Sequence, residues 1–247
     1  MHSELKCIVP GAKSAVLFVH GINATPRFFD EDVAALPADV SAHSLLLPGH
    51  GGTVKDFGRH SAKEWEIHVR SALDALRATH DRVYIVAHSL GTLLAIREVV
   101  RDDARIAGML LLCVPLRIWS RPTAWWGKLA KGLGGSASQE ELRHCYGHEV
   151  DGRIWRYIGW IPRYMELFRL SKEARQIVAQ LTVPTRVFMA GRDEQVSLRS
   201  ERCMAGSPAI TLARMEKSTH HVFTPEDKEV IRTAILAMCG ATEQEAP

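Results

Sequence analysis

Short apolar runs and amphipathic segments alternate along this chain. Runs that are apolar throughout and rich in β-branched residues predict buried strands at 14–20, 40–47, 82–87, 106–114, 185–190 and 209–214. Apolar positions at three- and four-residue spacing predict a helix over 61–80, where Ser61 and Glu64 form a capping box. Helices are also predicted over 90–100 and 226–238. Buried strands that alternate with helices predict an α/β fold whose parallel sheet is covered on both faces.

The stretch 115–183 interrupts this alternation. It holds five of the six tryptophans and carries eleven Lys/Arg against six Asp/Glu. An aromatic insertion between two sheet strands predicts a lid over a lipophilic pocket, with Trp125 and Trp126 as candidate substrate contacts. The alternative is that the tryptophans only pack the insertion onto the body. The predicted domains are a core at 1–114 and 184–240, an inserted lid at 115–183 and a flexible tail at 241–247.

Composition excludes several classes of protein. The chain has 247 residues, 46% of them hydrophobic, and a formal net charge of +3. No apolar run approaches the roughly 20 residues of a membrane-spanning helix, and no secretory signal is recognisable. The near-neutral balance argues against a nucleic-acid binder. Five scattered cysteines predict a reducing compartment, hence a cytoplasmic protein without disulfides or zinc ribbons.

The most informative motif is Ala87-His-Ser-Leu-Gly91, at the point where a predicted strand turns directly into a helix. Small residues two before and two after Ser89 permit a sharp turn that presents the serine hydroxyl at the top of the sheet. The following helix aims its first N–H groups at a developing oxyanion, so Leu90 is a candidate oxyanion donor. This context predicts that Ser89 is a nucleophile.

A serine nucleophile needs a base, and the base needs an acid to orient it. In a sheet of this kind the acid and then the base follow the nucleophile on later loops. The loop at 191–196 offers Asp193 or Glu194, and the loop at 217–222 offers His220 or His221. A second oxyanion donor is predicted at the backbone of Ile22, after the first strand.

These motifs together resemble the α/β-hydrolase superfamily, and more narrowly the small bacterial carboxylesterases and monoacylglycerol lipases. The matching segments are Leu17-Phe-Val-His-Gly21, Leu47-Pro-Gly-His-Gly51, Ala87-His-Ser-Leu-Gly91, Gly191-Arg-Asp-Glu194 and His221-Val222. The resemblance implies an α/β-hydrolase fold with a mostly parallel sheet of about six to eight strands. It assigns Ser89 as nucleophile, Asp193 as acid and His221 as base, because the family's catalytic histidine is typically followed by valine. The backbones of Ile22 and Leu90 would form the oxyanion hole.

The resemblance also implies the activity. We expect hydrolysis of short- or medium-chain acyl esters or monoacylglycerols through an acyl-enzyme, without a cofactor or metal. The substrate would be a small lipophilic ester, and the lid would allow transient contact with a lipid surface. Alternatives are a thioesterase or lysophospholipase with the same triad, or a ligand-binding protein that keeps the triad unused. A metal role for His144, Cys145 and His148, or for the adjacent pair at 220–221, is disfavoured by their spacing.

The sequence departs from the family pattern in two places. Ala87 stands where the most frequent elbow motif has glycine, but alanine is small enough for the turn. Only the segment 5–9 precedes the first buried strand, so the two leading strands of larger hydrolases are expected to be reduced to one.

Overall fold

A seven-stranded sheet organises the computed structural model, which describes residues 2–119 and 153–240. The strands are β1 (Leu5–Cys7), β2 (Ser14–Val19), β3 (Val40–Leu45), β4 (Arg82–His88), β5 (Ile106–Leu112), β6 (Thr185–Ala190) and β7 (Ile210–Met215). Their order across the sheet is β1-β3-β2-β4-β5-β6-β7. The edge strand β1 pairs antiparallel with β3, and every other neighbouring pair is parallel. The predicted mostly parallel sheet is confirmed, and one leading strand precedes β2 as expected.

Helices cover the two faces of this sheet. They are α1 (Asp30–Ala34), α2 (Val54–Arg59), α3 (Ala62–Thr79), α4 (Leu90–Arg101), α5 (Ile161–Ile177) and α6 (Pro225–Met238). Alternate residues of β2 enter different cores, because successive strand side chains point to opposite faces. Leu17 packs with residues of α3, α4 and α5, whereas Phe18 packs with Phe29 and residues of α6. Burial on both faces explains why the strands are apolar throughout.

The insertion returns to the core through Trp160 and the following helix α5, which several hydrogen bonds tie to the body. The Ala62 N–H donates to Glu166 Oε2 at 3.0 Å, and Trp160 Nε1 donates to the Val54 carbonyl at 2.8 Å. Further along, Ser171 Oγ donates to the Pro115 carbonyl at 2.6 Å. Because these bonds are buried or partly buried, they hold the C-terminal part of the insertion in a fixed position on the core.

Some sequence predictions fall outside the described residues. Trp125, Trp126 and the tail at 241–247 lie there, so what is predicted for them stays a prediction. The boundaries 115–183 of the lid stay a prediction, of which the structure describes 115–119 and 153–183. Within the described ranges, no helix combines the length and apolar character needed to cross a membrane.

Candidate active site

The turn between β4 and α4 carries Ser89 in a backbone conformation that side chains rarely adopt. Its φ is +50° and its ψ is −118°, and such strain clusters at functional sites. The Ser89 N–H donates to the Leu112 carbonyl at 2.9 Å, while Thr92 Oγ1 donates to the Ser89 carbonyl at 2.7 Å. The surrounding strand and helix therefore hold the turn, as the nucleophile-elbow pattern requires.

Gly91 allows the turn to pack against the end of β2. A Cβ atom at this position would lie 2.2 Å from the Val19 carbonyl oxygen and 2.9 Å from that of His20. No side chain can be accommodated so close to a backbone oxygen. Helix α4 can begin at Leu90, directly behind the serine, because glycine follows at this point.

Asp193 lies on the loop after β6 with its carboxylate fully satisfied. Oδ1 accepts from the N–H groups of Gln195 at 2.8 Å and Val196 at 2.7 Å, and Oδ2 is 2.7 Å from His220 Nδ1. Burial alone would raise the pKa of Asp193, but the facing His220 and these hydrogen bonds outweigh it and lower the pKa below its ordinary value. The side chain is therefore an ionised acceptor at neutral pH, suited to orienting an imidazole.

The imidazole between Asp193 and Ser89 belongs to His220. Its Nε2 lies 2.9 Å from Ser89 Oγ, its Nδ1 faces Asp193, and its side chain is only 2% exposed. The structure thus places an acid, an imidazole and a hydroxyl in one hydrogen-bonded chain, the arrangement that activates a serine. The prediction that His221 occupies this position is wrong.

Contacts of the loop after β7 explain why His220, and not His221, faces Ser89. The His220 N–H donates to Glu194 Oε2 at 3.4 Å and its carbonyl lies 2.9 Å from His88 Nε2, so both backbone groups face the interior. The ring of His221 instead lies edge-on to that of His220, with 4.7 Å between centroids, and the residue is partly exposed. The valine after it, Val222, is exposed. The His-Val pair is therefore displaced by one position from the histidine that meets the serine.

The oxyanion donors remain a prediction that the fold accommodates. Leu90 is the first residue of α4, so its N–H has no acceptor within the helix. Ile22 follows Gly21, where a Cβ atom would lie 3.0 Å from that of Ser89. The turn that carries Ile22 therefore packs directly against the turn at 88–91 that carries Ser89, called the nucleophile turn below.

The side chains around Ser89 include candidate metal ligands. Among the described residues, one group brings three such atoms within 4.8 Å of one another, from His88, Cys113 and His220. Burial, and then the neighbouring Asp193 carboxylate, raise the pKa of the Cys113 thiol well above its ordinary value, which disfavours the thiolate that a metal needs. His220 already contacts Ser89 and Asp193. These contacts favour a hydrogen-bonding role for His220 over metal binding.

Comparison with known proteins agrees with the geometry. Residues 16–233 match the family model described as "Alpha/beta hydrolase family". A curated relative from Neisseria meningitidis serogroup C, a pimeloyl-[acyl-carrier protein] methyl ester esterase, is 25% identical over 240 residues and covers 87% of this chain and 90% of its own. Its counterpart from a serogroup B strain is 24% identical over 242 residues, which cover 87% of this chain and 89% of the relative.

Solved structures show the same fold at lower identity. A structure described under the metagenome-derived lipolytic enzymes LipS and LipT superposes with a TM-score of 0.73 at 20% identity, covering 97% of each chain. A monoacylglycerol lipase from Paleococcus ferrophilus gives a TM-score of 0.68 at 18% identity and covers 97% of this chain and 99% of its own. These similarities support the fold, and the predicted resemblance is confirmed.

Proposed function

Because the chain belongs to the alpha/beta hydrolase family, we propose that it is a serine hydrolase that cleaves carboxylic esters with Ser89, His220 and Asp193. The observation that carries the proposal is the continuous hydrogen-bonded chain from the Asp193 carboxylate through His220 to the Ser89 hydroxyl. Esterase-named relatives support the same class of reaction. The proposal keeps the predicted nucleophile and acid and replaces the predicted base.

In the proposed acylation step, Ser89 Oγ attacks the ester carbonyl carbon and its proton passes to His220 Nε2. Asp193 stabilises the imidazolium and keeps Nδ1 protonated, since it faces that nitrogen at 2.7 Å. The backbone N–H groups of Ile22 and Leu90 stabilise the negative oxygen of the tetrahedral intermediate. His220 then returns the proton to the leaving alcohol oxygen as the carbon–oxygen bond breaks, which leaves an acyl group on Ser89.

Deacylation repeats the sequence with water as the nucleophile. His220 Nε2 accepts a proton from water as its oxygen attacks the acyl carbon, and then returns that proton to Ser89 Oγ as the acid departs. The proton that His220 Nε2 takes from water is thus passed to Ser89 Oγ, across the 2.9 Å contact between these two atoms. No cofactor enters the scheme.

The apolar surface of the insertion favours a lipophilic acyl group. Large side chains that are mostly exposed lie along the segment from 155 to 168: Trp155, Ile158, Ile161, Met165 and Phe168. On the same segment Tyr164 Oη accepts a hydrogen bond from Asn23 Nδ2 at 2.7 Å, and Asn23 directly follows Ile22. The insertion thus contacts the turn that carries Ile22, called the oxyanion turn below, and this contact supports a role for the insertion in holding substrate.

A fluorophosphonate probe and nitrophenyl esters test the proposed function. We expect stoichiometric labelling of the wild-type protein, complete loss of labelling in Ser89→Ala, and no change in the control Ser3→Ala, which alters an exposed serine. Turnover should rise with acyl length through about C6–C10, because each buried methylene adds about 0.8 kcal/mol of apolar transfer energy. A folded wild-type protein that is neither labelled nor active would contradict the proposal, and a steep preference for acetate would contradict the lipophilic substrate.

A second substrate class is a methyl ester whose acyl chain is carried on an acyl-carrier protein. The esterase-named Neisseria relatives favour it, and so does the charge of 153–183, which carries six Lys/Arg against two Asp/Glu. Monoacylglycerols, acyl thioesters, lysophospholipids and a carrier-bound methyl ester should therefore be compared in one series. A kcat/KM for the carrier-bound ester at least 10-fold above that for the free methyl ester would identify the carrier as part of the substrate.

A further inference from the structure

His88 is a buried titratable residue to which the proposed mechanism gives no role. It is the last residue of β4, directly precedes Ser89 and is 0% exposed. Its ring lies against those of Phe28, His220 and His221, so neighbouring aromatic side chains enclose it. A histidine is an unusual choice for a position this dry, because burial disfavours its charged form.

The His88 imidazole contacts two other loops of the site. Its Nε2 lies 2.9 Å from the backbone carbonyl oxygen of His220. Its ring stacks on Phe28 with 4.3 Å between centroids and 23° between planes, and Phe28 belongs to the segment after the oxyanion turn. His88 thus links the turn at 88–91, which carries Ser89, to two other segments. One is the loop 217–222 that carries His220, called the base loop below, and the other is the segment after Ile22 that carries Phe28.

The chemistry of the carbonyl defines the tautomer of His88. A carbonyl oxygen only accepts, so the proton of a neutral ring must lie on Nε2. Burial, and next the nearby His220, lower the pKa of His88 to about 3, so the ring is neutral at physiological pH. Among residues 2–119 and 153–240, Nδ1 has no hydrogen-bond partner, and a Cβ atom on Gly21 would lie 2.8 Å from it. Nδ1 therefore packs close to the backbone of Gly21, and within the part of the chain that the structure describes the ring makes its hydrogen bond through Nε2.

We infer that His88 is a positioning residue, which donates its Nε2–H to the His220 carbonyl and thereby fixes the base loop for proton transfer. The inference rests on the proposed function, since it assigns the base to His220. The peptide N–H of His220 is already held by Glu194 Oε2, so the bond from His88 fixes the other side of the same residue. With both sides held, the imidazole spans Ser89 Oγ and Asp193 Oδ2 at 2.9 Å and 2.7 Å.

Two substitutions separate the hydrogen bond from the packing of the ring. His88→Phe keeps an aromatic ring against Phe28 but removes the donor, whereas His88→Gln offers an amide N–H near the position of Nε2. We expect His88→Phe to lower kcat by about 10- to 100-fold with little change in KM, because the base is misplaced while the substrate pocket is intact. His88→Gln should recover most of the loss. Equal kcat values in wild type and His88→Phe, or equal losses in both folded variants, would overturn the inference.

The labelling assay and an NMR measurement keep the inference testable if a variant folds poorly. In ¹⁵N-labelled wild-type protein, His88 should show the Nε2–H tautomer and no titration between pH 8 and 5. A neutral ring with its proton on Nδ1 would contradict the hydrogen bond, because Nε2 would then have no proton to donate. If wild-type protein is neither labelled nor active, the proposed function fails, yet the NMR result still reports on the bond itself. If wild type is labelled at Ser89 and His88→Phe is labelled equally fast, only the positioning role fails.

Discussion

The nucleophile turn and the base loop meet at one hydrogen bond, yet the chain builds them in different ways. The turn is set by its own neighbours: β4 ends at His88, α4 begins at Leu90, and Gly91 allows the close approach to β2. His88, Leu90 and Gly91 all lie within two residues of Ser89, although the strand that Gly91 approaches is distant in sequence. Local sequence is therefore sufficient to predict where the serine stands.

The base loop is set by partners far away in sequence. Glu194, 26 positions from His220, accepts its N–H, and His88, 132 positions away, approaches its carbonyl. Nothing within 217–222 distinguishes His220 from His221 in the same way. Tertiary contacts therefore decide which of two adjacent histidines in this loop faces Ser89. Substitutions in the two segments test this difference.

The largest expected effect comes from the paired substitutions His220→Ala and His221→Ala. Removing His220 should lower kcat/KM for a nitrophenyl ester by at least about 1,000-fold, because the hydroxyl of Ser89 loses its base. Removing His221 should change kcat/KM by no more than about twofold, because this partly exposed residue lies outside the proposed triad. Both variants should be compared by steady-state kinetics at equal folded concentration, verified by circular dichroism. The reverse ranking would return the base to His221.

A glycine substitution tests the local origin of the nucleophile turn. Gly91→Ala should destabilise the protein by about 2–3 kcal/mol, because its Cβ would meet the Val19 carbonyl at 2.2 Å and must push α4 away from β2. Urea unfolding would measure this loss. The control is Gly206→Ala, where an added Cβ meets nothing within 4 Å and the unfolding midpoint should hardly move. Equal stability of the two variants would show that the turn tolerates displacement.

The extent of correct prediction follows the same division. Six of the strands, the capped helix at Ser61 and the serine turn all follow from hydrophobic period and local motif, because neighbouring residues determine them. In the loop after β6 the residues alone leave the acid open between Asp193 and Glu194. The structure uses both, since Asp193 meets the imidazole and Glu194 the peptide of His220.

His88 was missed for a related reason. A histidine beside a serine in a turn motif gives no sign of the carbonyl it will meet, because that carbonyl is supplied by a loop more than a hundred residues later. One signal was present: a polar residue ends a strand that is otherwise apolar after its first residue, and a buried polar group requires a hydrogen-bond partner. Partner identity, however, depends on topology that the motif does not contain.

The smallest expected effect is a pH dependence of stability that belongs to His88. Its pKa is about 3 in the folded protein and 6.5 in an unfolded chain, so between these values the unfolded state binds one more proton. The free energy of unfolding contributed by this residue is thus fully present above pH 6.5 and is lost as pH falls toward 3. The slope near pH 5 should be about 1.4 kcal/mol per pH unit steeper in wild type than in His88→Phe, which cannot bind that proton.

Urea unfolding at half-unit steps from pH 7.5 to 4.5 would measure the two slopes, with His88→Gln as a second variant that also lacks the titration. Linked protons from groups far from His88 are common to the three proteins, so they cancel in the difference between slopes. Parallel curves for wild type and both variants would mean that His88 is protonated in the folded state and that its Nδ1 has found an acceptor. A protonated ring still carries the Nε2–H, so this result would overturn the neutral state assigned to His88 while the hydrogen bond to the His220 carbonyl would persist.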